Sequence, residues 1–156
     1  MRRASSLALV GGILASLVVA SSSLASSAPL VRKAHNADLK TTILVDRHGR
    51  TLYDLSVERH GRFICDTKLC LSLWTPLTVA KSAKPAGAVP LGTIKRPDGS
   101  FQVTYKGAPL YTFAEDTKAG DARGEGFKDV GTWHAATAGA KAAPAATTAS
   151  GGYTYP

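Results

Sequence analysis

Apolar and polar positions alternate with a period of two through the middle of the chain, and that period sets the elements it predicts. Thr41-Thr42-Ile43-Leu44-Val45 leads through Asp46-Arg47-His48-Gly49 into Thr51-Leu52-Tyr53-Asp54-Leu55. Two β-rich runs around a turn whose glycine accepts a positive φ predict a hairpin. Farther on, residues 91–95 run into Pro97-Asp98-Gly99, residues 101–105 into Lys106-Gly107, and residues 110–113 close the series. Phe101, Val103 and Tyr105 fall on one face, so this region reads as a three-strand meander. Between residue 26 and the alanine-rich end no apolar stripe of helical period stands out. The expected fold is all-β, a small β-sandwich or barrel-like domain.

The ends break the pattern. Arg2 and Arg3 precede an apolar run over residues 7–20, and Ser23 and Ala25 supply the small side chains of a cleavage site. Residues 1–25 therefore read as a signal peptide, since 14 apolar residues interrupted by Gly11 and Gly12 fall short of the roughly 20 that span a bilayer. Residues 26–38 read as a flexible segment, residues 39–137 as the organised domain, and residues 138–156, rich in Ala, Thr and Gly, as a low-complexity tail.

Sliding the chain over itself by 58 positions lays Ile43 on Phe101, Val45 on Val103, Gly49 on Gly107, Leu52 on Leu110, Tyr53 on Tyr111, Leu55 on Phe113 and Glu58 on Asp116. One further residue of offset lays Trp74 on Trp133. A lone hairpin cannot bury its apolar face, so two copies, at about 41–79 and 99–137, are expected to share one core as pseudo-symmetric hairpin or meander repeats. The stretch 80–88 between them reads as an exposed connection.

Of the chain's 156 residues, 44% are apolar and 19% charged, which suits one folded domain. It carries 19 Lys and Arg against 11 Asp and Glu, a net +8, or +6 once Arg2 and Arg3 are removed with the signal peptide. For an exported chain that charge favours an anionic cell-envelope polymer, or another envelope protein, over nucleic acid, and no stable membrane span is expected after cleavage. Cys65 and Cys70 are the only cysteines, and in an oxidising compartment they read as a disulfide clasping a loop. A zinc site needs about four ligands and only His60 lies near, while redox-active pairs are more often spaced Cys-x-x-Cys.

Several spaced motifs agree in order: Gly49-Arg50-Thr51-Leu52-Tyr53, the cysteines followed by Trp74-Thr75-Pro76-Leu77, Arg96-Pro97-Asp98-Gly99, and Pro109-Leu110-Tyr111-Thr112-Phe113-Ala114-Glu115-Asp116 with Trp133. Together, over residues 41–137, they resemble a secreted-repeat family of bacterial envelope proteins, predicted lipoproteins with a Tyr-x-(Phe/Trp/Tyr)-x-x-Asp motif. The resemblance implies a secreted or surface-attached protein with two copies of the repeat and no established enzymatic activity. Tyr111, Phe113 and Asp116 keep the signature, whereas Leu55 and Glu58 replace its second aromatic residue and its Asp in the first copy. Trp74-Thr75-Pro76 replaces the family's Trp-Pro-Pro, and the lipid-bearing cysteine is missing.

Tyr53, Trp74, Tyr111, Phe113, Asp116 and Trp133 are the candidate motif or binding residues. Their rings suit either a ligand pocket between Tyr111, Phe113 and Trp133 or a structural core, and a small β domain needs anchors of that size. Asp116 is placed to accept a hydrogen bond from Tyr111 or to close the following turn. The loop over residues 116–126 collects carboxylates among glycines, as calcium loops do, but Lys118 and Arg123 bring opposing charge and the spacing is not regular. Arg-His-Gly-Arg occurs at 47–50 and again at 59–62, read as two solvated turns at opposite ends of one strand. His48, His60 and His134 are read as surface residues rather than metal ligands. No nucleophile elbow, metalloprotease helix or phosphate loop is present, and Glu115 and Asp116, adjacent on a strand, would face opposite ways. The expectation is a secreted, extracytoplasmic, non-enzymatic binding module without cofactor, catalytic residues or metal, the alternative being a redox or metal/haem accessory protein.

Overall fold

The computed structural model describes residues 28–59 and 61–139; the expected signal peptide and nearly all of the expected tail lie outside the described residues. Among the described residues the fold is all-β with one short helix. In chain order the elements are β1 (Val31–Asn36), β2 (Thr41–Asp46), β3 (Tyr53–Leu55), α1 (Lys68–Leu73), β4 (Trp74–Pro76), β5 (Thr78–Val79), β6 (Gly92–Lys95), β7 (Phe101–Tyr105), β8 (Ala108–Pro109), β9 (Tyr111–Phe113) and β10 (Trp133–Ala135). A four-stranded antiparallel sheet in the order β10-β3-β9-β4 occupies the centre. On one side β1 pairs with β2, and on the other β7 pairs with β5, β6 and β8.

Consecutive residues of these strands enter two different cores. Ile43, Val45, Tyr53, Leu55, Tyr111, Phe113 and Ala135 join an aromatic cluster with Trp74 and Trp133. Leu44, Leu52, Leu110 and Ala136 turn the other way, into an aliphatic cluster with Val31, Val103 and Tyr105. A strand covered on both faces reads as an unbroken apolar run, which is why Ile43-Leu44-Val45 has no polar partner in its alternation.

The expected hairpin forms only at its turn. Asp46 N donates to Arg50 O at 2.9 Å and Leu52 N to Leu44 O at 2.9 Å, with Gly49 at φ 83°. From Tyr53 onward the chain leaves β2 and enters the central sheet between β9 and β10. The meander parts in the same way: β6, β7 and β8 stay together while β9 crosses to the central sheet.

Two expectations are corrected here. The segment 26–38 was expected to be flexible, yet Val31–Asn36 pairs with β2 at all six positions. Arg32, Lys33 and His35 hide this strand from an apolar pattern, as charged edge strands do, because one face stays in water. The repeat register is also one residue off. Val45 bridges Thr51 and Thr104 pairs with Pro109, so Leu44 stands where Val103 stands. The first turn holds five residues between its bridged ends and the second holds four, and that extra residue absorbs the offset.

The connection 80–88 is exposed over most of its length, but its end is tied down: Leu30 N donates to Ala86 O at 2.8 Å and Ala88 N to Val31 O at 2.9 Å. A side chain at Gly87 would begin 2.9 Å from Val31 O, so the close approach requires glycine there. The helix α1, absent from the sequence-based expectation, starts inside the loop closed by the Cys65–Cys70 disulfide, whose Cα atoms are 5.4 Å apart, and runs on to Leu73. Thr67 caps it by accepting from Cys70 N at 3.3 Å. None of its residues is buried, which is why no apolar stripe announced it.

Candidate functional site

Antiparallel pairing sets Tyr53 of β3 opposite Tyr111 of β9, Trp133 of β10 opposite Leu55, and Trp74 of β4 opposite Phe113. The large rings of both segments therefore meet at the centre of one sheet. Trp74 and Trp133 stack with centroids 3.7 Å apart and planes 8° from parallel. Phe113 stacks on Trp74 at 4.4 Å, and Tyr53 and Tyr111 meet the two indoles edge-on at 5.4 and 5.1 Å. Tyr53, Trp74, Tyr111, Phe113, Asp116 and Trp133 are all buried. The structure brings the six candidates together as a closed core, and the ring geometry is that of a packed aromatic cluster.

The tyrosine hydroxyls reach across the sheet. Tyr53 donates to Asp116 Oδ2 at 2.6 Å, and Tyr111 donates to Glu58 Oε2 at 2.8 Å. Asp116 was expected to accept from Tyr111 or to close the following turn; the antiparallel register delivers it to Tyr53 instead of Tyr111, while its other oxygen accepts Arg123 N across the loop that follows. Each carboxylate is finished by backbone donors. Asp116 Oδ1 accepts Arg123 N at 2.9 Å, and Glu58 Oε1 accepts Ile64 N at 2.6 Å and Cys65 N at 2.7 Å. Burial, reinforced by the adjoining carboxylate, pushes both phenols well above the ordinary tyrosine range.

Around Tyr111 the network extends to residues that sequence reasoning missed. Arg96 is buried, donating through Nη1 to the Tyr111 hydroxyl at 3.1 Å and to Gln102 Oε1, and through Nη2 to Cys65 O at 2.7 Å. Gln102 Nε2 donates to Leu110 O at 2.8 Å. The guanidinium lies 4.9 Å from the Phe63 ring centroid, and its Nε, without a hydrogen bond, is 3.8 Å from Asp98 Oδ2. The signal available was Gln102, a long polar side chain between Phe101 and Val103; a polar side chain facing a core needs a buried partner.

Other candidates lie at the surface. Arg32 Nη2 donates to Arg47 O at 3.0 Å, and Arg50 bridges Asp46 at 2.9 Å. Gly49 packs against Ala119, Asn36 Nδ2 donates to Gly120 O at 3.0 Å, and Thr51 Oγ1 to Asp121 O at 2.5 Å. These contacts draw the exposed Arg32, Arg47 and Arg50 onto one edge with Lys118 and Arg123. The acidic loop beside them turns its carboxylates inward onto N–H groups. Burial opposes ionisation of Asp121, but the N–H groups of Lys118 and Thr117 outweigh it and hold its carboxyl below the usual range.

The second Arg-His-Gly-Arg does not continue a strand. Arg59 folds back onto Asp54 at 2.9 Å and Leu55 O at 3.0 Å, and His60 lies outside the described residues. His48 is exposed, and His134 Nδ1 lies 2.9 Å from Glu125 Oε1 beside a cleft of about 370 Å³ that Leu39 and Thr41 also line. A larger cleft of about 420 Å³ opens between α1 and residues 127–130. Neither cleft is lined by any of the six motif residues.

Residues 92–137, from β6 through β10, match the family Lipoprotein_15, a secreted repeat of unknown function. The chain thus carries this secreted repeat in its second half, the half that keeps Tyr111, Phe113 and Asp116. No curated protein and no solved structure matches the chain. Among the described residues, no helix is long and apolar enough to cross a membrane.

Proposed function

We propose that this secreted protein is a non-enzymatic binding module for an anionic cell-envelope polymer, held on the edge where β1, the β2–β3 turn and the 116–123 loop meet. The observation that supports this reading is the gathering of Arg32, Arg47, Arg50, Lys118 and Arg123 there against two acids, Asp46, which pairs with Arg50 at 2.9 Å, and Asp121, 3.9 Å from Arg123, both of which also accept backbone N–H groups. Fixed cations on a rigid edge suit a flexible chain of phosphates or carboxylates, whose bound counterions are released on contact. The motif residues take no direct part; the hydroxyls of Tyr53 and Tyr111 and the carboxylate of Asp116 are committed to contacts within the fold that holds the edge in place.

The test is titration of the purified exported protein with poly(glycerol phosphate). Raising salt from about 50 to about 200 mM is expected to weaken binding about 100-fold if four or five cations engage the chain. The double variant Arg47→Glu/Lys118→Glu is expected to abolish binding while leaving the melting transition unchanged. Binding that ignores salt, or survives the double charge reversal, would overturn the proposal.

A further inference from the structure

Residues 28–79 and residues 86–139 form two units that complete each other. Every pairing in the central sheet, β10 on β3, β3 on β9 and β9 on β4, crosses from one unit to the other, as does β5 on β7. The crossings are reciprocal. Ala136 of the second unit sits between Leu44 and Leu52 of the first, its carbonyl accepting Leu44 N at 2.7 Å and its N–H donating to Leu52 O at 2.8 Å. Leu77 of the first unit sits between Val103 and Leu110 of the second, accepting Val103 N at 2.8 Å and donating to Leu110 O at 2.9 Å. Tyr53 draws Asp116 from the second unit and Tyr111 draws Glu58 from the first, while each acid takes its backbone donors from its own unit. Each unit thus presents a strand edge, an aromatic face and a carboxylate that the other unit fits.

Residues 80–85 are the covalent link between the units. Residues 80–84 are exposed. Among the described residues, the one backbone hydrogen bond of this link is its own, from Ala83 N to Ala80 O at 3.0 Å. Ser82 turns the link back at φ 65°, in the left-handed region that a serine seldom occupies. Straightening the link relieves that conformation. Beyond it, Leu30 N donates to Ala86 O and Ala88 N to Val31 O, contacts that also cross between the units.

We infer that the surface each unit presents also docks the opposite unit of a second copy of this chain, giving a two-fold dimer that exchanges residues 86–139 through the 80–85 link. Each Tyr53 then answers the partner's Asp116, and each Tyr111 the partner's Glu58. The basic edge, which sets Arg47 of one unit beside Lys118 of the other, is then built from two chains. Monomer and exchanged dimer bury the same faces, so the balance between them rests on the link. A short flexible link holds its own two units together at an effective concentration of about 1 mM, and the dimer equals the monomer at about that chain concentration. Exchange requires the shared core to part, so it takes place as chains fold together, and a dimer once formed persists on dilution.

The test is to unfold the full exported chain in urea, refold it and size it by sedimentation velocity. About half the chains are expected in dimer after refolding at about 1 mM, and about one in fifty at about 10 µM. Ser82→Pro forbids the left-handed turn and is expected to reach the same half at a chain concentration about tenfold lower. Ser82→Gly eases the turn and is expected to lower the dimer fraction. A protease site placed over residues 81–84 reads the connectivity directly: cutting the link turns an exchanged dimer into folded particles of monomer size, whereas a dimer joined through any other surface keeps its size. Monomer alone at about 1 mM in both the parent chain and Ser82→Pro would sink the inference. So would dimers that part on dilution, or dimers that keep their size after the cut. Polymer binding is read separately, because the Arg47→Glu/Lys118→Glu variant carries both reversed charges on each edge in either arrangement.

Discussion

The two tyrosines that face each other across β3 and β9 make the same contact in different surroundings. Tyr53 donates to Asp116 and accepts from Gly124 N at 3.2 Å, with no cation on its hydroxyl among the described residues. Tyr111 donates to Glu58 and accepts from Arg96, so its hydroxyl joins a buried cation to a buried carboxyl group. On the Tyr53 side the strand position matching Gln102 is Ile43, and the position closing the preceding strand is Asn36, which takes the place of Arg96. The Tyr53 side closes with a neutral amide on Gly120 O; the Tyr111 side closes with a charge network tied to the disulfide loop through Cys65. A shared motif thus fixes the tyrosine–carboxylate contact, while the residues around it decide how much each contact costs to lose.

Arg96→Met tests the difference most severely. The side chain keeps its bulk, but Gln102 Oε1 and Cys65 O lose their donor and the Glu58–Tyr111 pair loses its cation. The expected destabilisation is about 3–5 kcal/mol in urea unfolding, and a loss below about 1 kcal/mol would show the network to be electrostatically idle.

Next come the paired variants Tyr111→Phe and Tyr53→Phe. Each strips a buried carboxyl group of a donor, at about 1–3 kcal/mol. Tyr111→Phe is expected to be the costlier because it also severs Arg96 from Glu58. Equal losses, or the reverse order, would break the comparison between the two sides.

The smallest effect at neutral pH is the titration of the phenols, which separates the two sides from solvent rather than from each other. Both folded-state values lie above the unfolded value of about 10, so the stabilisation is complete below that pH and is lost as pH rises beyond it. In absorbance at 295 nm, two of the five tyrosines are expected to ionise only with cooperative unfolding. Early, reversible ionisation of all five would contradict the buried contacts.

Much of this was legible beforehand because it depends on near neighbours. The runs at 41–45 and 101–105, the turns at Gly49, Gly99 and Gly107, all with positive φ, and the close cysteine pair announce themselves by local chemistry. β1 stayed hidden because its outward face is charged, and α1 because it buries nothing; periodicity reports burial and says nothing of a short element held by a cap and a clasp. Arg96 stayed hidden because its Pro97-Asp98-Gly99 sequel looks like an ordinary surface turn, and the turn is indeed exposed while the side chain points inward.

From its own residues the chain determined that the runs at 41–45 and 101–105 extend, where they turn, and that its large rings gather in a pocket or a core. Which carboxylate each tyrosine answers, and that the basic turn at 46–50 lies against the 116–123 loop, only the tertiary structure decided. The donor and acceptor in Tyr53–Asp116 are 63 residues apart. Their meeting depends on the register of β3 against β9, which exists only once both aromatic faces have closed on one core.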